Sequence, residues 1–313
     1  MDFTLKTYKQ LLFTLLDQDY SFFTFQEYIE NNLSLITGNS SIIILRHDVD
    51  RLPENALRVA ELEKRLGVKG SYYFRVVKES FDAGIIREIA AMGHEIGYHY
   101  ENLAEVSRQK SGYGIWDMGF GKKMAEGSEQ KSGVRSKEEG DSSPESTQNS
   151  KLKTQNSIFE LAIEDFEENL KKLREICPIK TICMHGSPLS KYDSRDLWEV
   201  YDYRDFGIIG EPYFDIDYKK VFYVTDTGRK WNNEAASIRD KVDSGFKVKI
   251  RNSSHLISLI KERELPNKII INTHPQRWAN SWCLWVRELL SQNIKNLVKK
   301  IIVKKGRRGG ENN

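Results

Sequence analysis

The feature that most narrows the fold is an alternation along the chain. Short apolar runs end at a histidine or an acid, and each is followed by a segment with helical spacing. SIIILRHDV at 41–49 follows a Gly-Asn-Ser-Ser turn signal and has the unbroken β-branched run of a strand covered on both faces. PENALRVAELEKRLGV places Pro53 at a helix start and keeps Ala56, Val59, Leu62 and Leu66 near one side before Gly70. SYYFRVV, DAGIIREIAAMG and HEIGYHY repeat the cycle as strand, helix and strand. Further on, SIFELAIEDFEENLKKLREIC reads as a helix, KTICMHG as a strand, SRDLWEVY as a short helix, and FGIIGEPYF, VFYVTDT and KIIINTHP as strands. Seven strands separated by helices imply a parallel α/β sheet, either closed into a barrel or open and doubly wound.

Three regions follow. Residues 1–40 form an N-terminal helical extension, with Leu5, Tyr8, Leu11, Leu12 and Leu15 at helical spacing behind Asp2 or Thr4 as cap. Residues 41–280 carry the strand-and-helix repeat, and residues 281–313 an amphipathic, increasingly basic helix and tail. That tail is either a packing helix with a frayed end or a peripheral contact with an anionic membrane. A polar stretch from about 107 to 157 interrupts the repeat and has too few large apolar residues to build a core, so a disordered insertion is expected. The shoulder bearing Tyr113, Trp116 and Phe120 suits a flap or a linker equally.

Composition removes several function classes. A net charge of +3 from 48 basic and 45 acidic residues gives no reason to expect nucleic acid. Three cysteines without CxxC spacing argue against a disulfide framework and a thiolate zinc site. With no cleavable leader and no apolar run long enough to cross a bilayer, the expected location is the cytoplasm.

In parallel βα architectures, ligands collect where strands end. Here RHDVD, YHYE, MHGSP and THP close four strands, so four of six histidines, His47, His99, His185 and His274, are expected at one edge. Asp48 and Asp50 stand two apart and point to one side of an extended backbone. Two adjacent carboxylates with imidazoles need a counter-charge, which a divalent metal supplies; an ion pair with Arg46 or Arg51 is the bland alternative.

These motifs over about 41–280 resemble the polysaccharide deacetylases that share the NodB homology domain, a distorted parallel (β/α)7 barrel carrying one divalent metal. RHDVD at 46–50 resembles the family's acidic pair with a valine inserted, implying Asp48 as catalytic base and Asp50 as metal ligand. GHEIGYHYE resembles the motif bearing the first metal histidine, which implies His99 and leaves His94 structural. INTHP resembles the motif of the general acid, implying His274, and VTDTGRKW more loosely the acid and tryptophan motif of the substrate pocket, implying Asp226 and Trp231 as groups that contact the sugar or support those that do. Leu103 stands where the family has its second metal histidine, and MHGSP replaces its arginine and proline motif. His185 is then the candidate third ligand, with Glu101 in competition.

The resemblance implies a cytoplasmic hydrolase with one Zn2+ that removes acetyl groups from an N-acetylated sugar or polysaccharide precursor. A water activated by the metal would attack the acetamide. The alternatives are another C–N amide hydrolase on the same scaffold or a non-catalytic carbohydrate-binding relative. Arg75 and Arg229 are expected to hold an anionic part of the substrate or to make surface ion pairs. Tyr73, Trp231 and Trp278 are expected to stack on sugar faces or to fill the core.

Overall fold

A computed structural model describes residues 2–33, 40–110, 144–187, 190–232, 242–278, 285–291 and 293. The polar stretch 111–143, with the Tyr113–Phe120 shoulder, and the basic tail from 294 lie outside the described residues. The elements are α1 (Leu5–Asp17), β1 (Ser21–Phe23), α2 (Phe25–Glu30), β2 (Ile42–Val49), α3 (Pro53–Arg65), β3 (Ser71–Phe74) and α4 (Ala83–Ala91). They continue with β4 (Glu95–Tyr100), α5 (Asn102–Lys110), α6 (Pro144–Arg174), β5 (Ile182–Met184), α7 (Pro212–Asp215), β6 (Phe222–Thr225), α8 (Ser253–Lys261) and β7 (Lys268–Thr273). Among the described residues no helix is long and apolar enough to cross a membrane.

The strands form one all-parallel sheet in the order β5-β4-β3-β2-β7-β6, and β1 also pairs with β2. β2 is the axis. One edge pairs with β7 from Ile42 to His47; the other pairs with β1 over Ile42–Ile44 and with β3 over Arg46–Val49. Among the described residues no ladder joins β5 to β6, so the sheet is a curled half-barrel rather than a closed seven-stranded one.

Two strand assignments differ from expectation. FGIIGEPYF makes a single bridge, Gly210 to Thr181, because Gly207 turns in the left-handed region and Pro212 opens α7. β1 lies in the supposed helical extension, so the N-terminus belongs to the sheet. It has three residues and no alternation of its own to reveal it. The polar stretch is also shorter than expected, since α6 begins at Pro144.

Alternation along the strands sorts the core into two layers. Ile43, Leu45 and Val49 of β2, Tyr72 and Phe74 of β3, Ile269 and Ile271 of β7 pack against the helices. Ile42, Ile44, Tyr73, Cys183, Tyr223 and Ile270 fill the concave side with Phe25 and Tyr28 of α2. Gly97 of β4 makes room for this filling: a Cβ there would lie 2.3 Å from the Tyr73 ring. Gly97→Ala is therefore expected to lower stability by roughly 1–3 kcal/mol. An unchanged urea midpoint would show that Tyr73 yields freely.

Glu211 is fully buried, accepting from the backbone N–H of Met184 and capping α7 at Tyr213. Burial pushes its carboxyl up to about 7 despite these bonds. A raised folded-state pKa favours the neutral acid, so its stabilising effect is complete below about 4.5 and lost as pH rises through about 7. The Glu211→Gln variant is expected to flatten this loss, on the order of 3 kcal/mol, in unfolding curves taken from pH 4.5 to 8. Parallel pH profiles for the two proteins would contradict it.

Candidate metal centre

Strand alternation places the polar ends of the concave layer together. Arg46 and Asp48 continue the Ile42–Ile44 face of β2, and His99 stands across from Cys183 in the β4–β5 register. Asp50 and His185 follow just after β2 and β5, each two residues beyond a concave position, Asp48 and Cys183. His47 has the opposite parity. It faces the helices, with Nε2 2.9 Å from Glu63 and Nδ1 2.7 Å from Thr273 Oγ1, so the histidine cluster has three members and not the four expected. Glu63 also accepts from the hydroxyls of Tyr8 and Tyr72, which ties α1 and α3 to the sheet.

Asp50 Oδ1 lies 3.6 Å from His99 Nε2 and 3.5 Å from His185 Nε2. The imidazole rings stand 5.1 Å apart and nearly perpendicular. Two ligands at about 2.1 Å on a tetrahedral ion are themselves roughly 3.4 Å apart, so both spacings match a shared cation. Hydrogen bonding leaves the same atoms free. His99 Nδ1 donates to Cys183 O at 2.9 Å and His185 Nδ1 to Glu101 Oε2 at 2.7 Å, so in each neutral ring Nε2 carries a lone pair. Among the described residues Asp50 Oδ1 is buried without a hydrogen-bond partner, an arrangement that costs about 1–3 kcal/mol or more for a charged group. Asp50, His99 and His185 can hold a metal ion.

Asp48, His99 and Cys183 form a second group close enough to bind a cation. Charge disfavours it. Arg46 donates to both Asp48 oxygens, at 2.8 and 2.7 Å, and Asn272 Nδ2 donates to Oδ2 at 2.9 Å. A cation there would meet a guanidinium and a carboxylate already engaged. Glu101, the expected competitor for the third ligand, stands behind His185. It accepts from His185, from Ser187 at 2.8 Å and from Arg75, so it orients a ligand instead of being one.

The electrostatics agree with this division. Burial works against charge on Asp50, but the His99 imidazole beside it foremost, with His185 and His274 nearby, holds its carboxyl well below the usual range. Burial likewise opposes ionisation of Asp48, and Arg46 foremost reverses it, so Asp48 stays ionised. His185 is pushed down by burial and then by Arg75, which outweigh Glu101 and Asp50 and keep it neutral. For His99 burial opposes charge, yet Asp48 and Asp50 prevail and raise its pKa, the same attraction toward positive charge that a cation would meet there.

His274 lies just beyond β7, its Nδ1 2.6 Å from Asp226 Oδ1 and its backbone N–H on Asp226 Oδ2. Asp226 also accepts from Arg277 at 2.7 Å and Trp278 Nε1 at 2.8 Å. It is fully buried with both oxygens committed, so it orients His274 and does not meet a substrate. Of the other expected substrate contacts, Tyr73, Trp231 and Trp278 take the core-filling alternative, and Arg229 is corrected. Tyr73 is buried in the concave layer with its hydroxyl on Thr181. Trp231 is buried with Nε1 on Ser253 Oγ, and Trp278 packs between Phe3, Tyr8 and Trp231. Arg229 is nearly buried, its guanidinium over the Phe3 and Trp285 rings. Arg75 keeps a partly exposed side chain beside Glu101.

Three residues of the site escaped sequence reading as site residues: Arg46, Asn272 and Gln276. Alternation was the available signal, since Arg46 stands two before Asp48 and Asn272 and Gln276 each stand two from His274. No protein-family model matches the chain, and no curated protein matches it.

Proposed function

We propose that the chain is a metal-dependent hydrolase of carbon–nitrogen amide bonds that removes acetyl groups from an N-acetylated sugar or polysaccharide precursor in the cytoplasm, with Zn2+ held by Asp50, His99 and His185. The observation that carries the reading is the unpartnered Asp50 Oδ1 facing two imidazole Nε2 atoms whose opposite nitrogens are already bonded. Two nitrogens and one carboxylate oxygen, with a fourth position left over, are the donor set of a catalytic zinc site.

Zinc bound there would supply Lewis acidity, polarising the acetamide carbonyl and bringing the pKa of water toward about 7. Asp48 Oδ2, 3.9 Å from His99 Nε2, borders the seat and is the carboxylate placed to accept the proton of the attacking water. Arg46 lowers its basicity and fixes its orientation. His274, its Nδ1 committed to Asp226, has Nε2 left to protonate the departing amine, and the carboxylate fixes the ring's orientation for that transfer. Water and the acetamide thus become acetate and a protonated amino sugar. The firm Arg46 grip on Asp48 is the observation that favours the second reading, a carbohydrate-binding relative in which this acid is structural.

Acetate release from free, nucleotide-linked and lipid-linked N-acetylhexosamines tests the proposal. The zinc-loaded protein is expected to release acetate from at least one of them. Asp48→Asn and His274→Ala are expected to lower kcat by roughly 10²–10⁴-fold with zinc content unchanged. Zinc uptake without acetate from any of the three classes supports the binding module. In a separate measurement, His185→Ala is expected to lose stoichiometric zinc, and full retention would remove His185 from the ligand set.

A further inference from the structure

We infer that Gln276 is a positioning residue that makes Asp50 a one-oxygen ligand and thereby fixes a four-coordinate seat. The inference rests on the metal reading above and adds the residue that decides the geometry of the site. Gln276 lies on the short turn Pro275–Arg277 directly after β7 and is 4% exposed. Proline begins this turn, and Arg277 anchors it through Asp226.

From there Gln276 Nε2 reaches Asp50 Oδ2 at 2.8 Å. An ionised carboxylate only accepts, so the amide must present its NH2 group, and chemistry settles its orientation. Gln276 Oε1 is buried and finds no partner among the described residues. The Asp50 contact is thus the side-chain hydrogen bond that the structure gives this buried amide, which points to a role toward Asp50. Asn272 repeats the device at Asp48, donating through Nδ2, with its own Oδ1 lacking a partner among the described residues.

Gln276 holds Oδ2 toward its own side, and Oδ1 is the oxygen that faces the two imidazoles. Swinging both oxygens onto a cation would pull Oδ2 out of line with Gln276 and weaken the side-chain hydrogen bond that the structure gives this buried amide. A carboxylate that binds through one oxygen, beside two imidazoles, suits a small tetrahedral ion with one open position. Two-oxygen binding is a mode of larger cations with six to eight oxygen ligands. Gln276 therefore biases the seat toward zinc or cobalt and away from calcium.

Cobalt(II) reports the difference, because its visible bands are intense in four-coordinate sites and weak at higher coordination. One equivalent of cobalt is expected to give the wild-type chain intense bands. Gln276→Met, similar in shape but without a donor, is expected to lose most of that intensity and bind zinc roughly 10–100-fold more weakly, with an unchanged melting curve in the absence of metal. Unchanged bands and affinity in Gln276→Met overturn the inference. Should that variant not fold, X-ray absorption on the zinc-loaded wild type decides alone. Four nitrogen or oxygen neighbours at about 2.0–2.1 Å support the inference. Five or six, with both Asp50 oxygens among them, overturn it. A wild-type chain that takes up neither ion overturns the metal reading itself, and the role of Gln276 with it.

Discussion

A buried carboxylate oxygen with no donor among the described residues, set beside two imidazole Nε2 atoms, is the constraint around which the rest of this structure is arranged. Left alone it is destabilising, because Asp50 Oδ1 is withdrawn from solvent and receives no hydrogen bond from them. The surrounding residues hold that state in place instead of relieving it. Cys183 O and Glu101 fix the imidazoles by their far nitrogens, and Gln276 occupies the other oxygen of Asp50. Arg46 and Asn272 meanwhile hold Asp48, so the two neighbouring acids differ in availability to a cation although the sequence presents them alike.

The sheet makes this possible by giving each strand two chemistries. Down the concave side, β2 passes from isoleucines to Arg46 and Asp48, so the apolar filling ends where the polar site begins. On the opposite side, His47 meets Glu63, and Tyr8 and Tyr72 close a polar knot that latches helices to strands. Alternate residues of one short motif thus serve binding and architecture.

This division also explains what was legible beforehand. The long strands β2, β4 and β7 announce themselves because a run buried on both faces is unmistakably apolar, and their terminal histidines and acids follow from where parallel strands place loops. β1 escaped because three residues carry no pattern and are held by pairing with β2. His47 was misplaced because reading strand ends as an edge ignores the period of two. Tyr73 as an aromatic, and Asp226 and Trp231 by motif likeness, stand between substrate contact and support in the sequence, because their burial depends on packing that no local motif encodes. Arg46 is legible only as an ion-pair partner for Asp48, and Gln276 carries no motif signal; the fold brings it to Asp50.

The most direct test of the central claim is anomalous diffraction from crystals of the chain grown with one equivalent of zinc. The account predicts a single strong peak within about 2.0–2.2 Å of Asp50 Oδ1, His99 Nε2 and His185 Nε2. A peak at Asp48 and Cys183, or zinc confined to surface residues with Asp50 Oδ1 still unpaired, would contradict it.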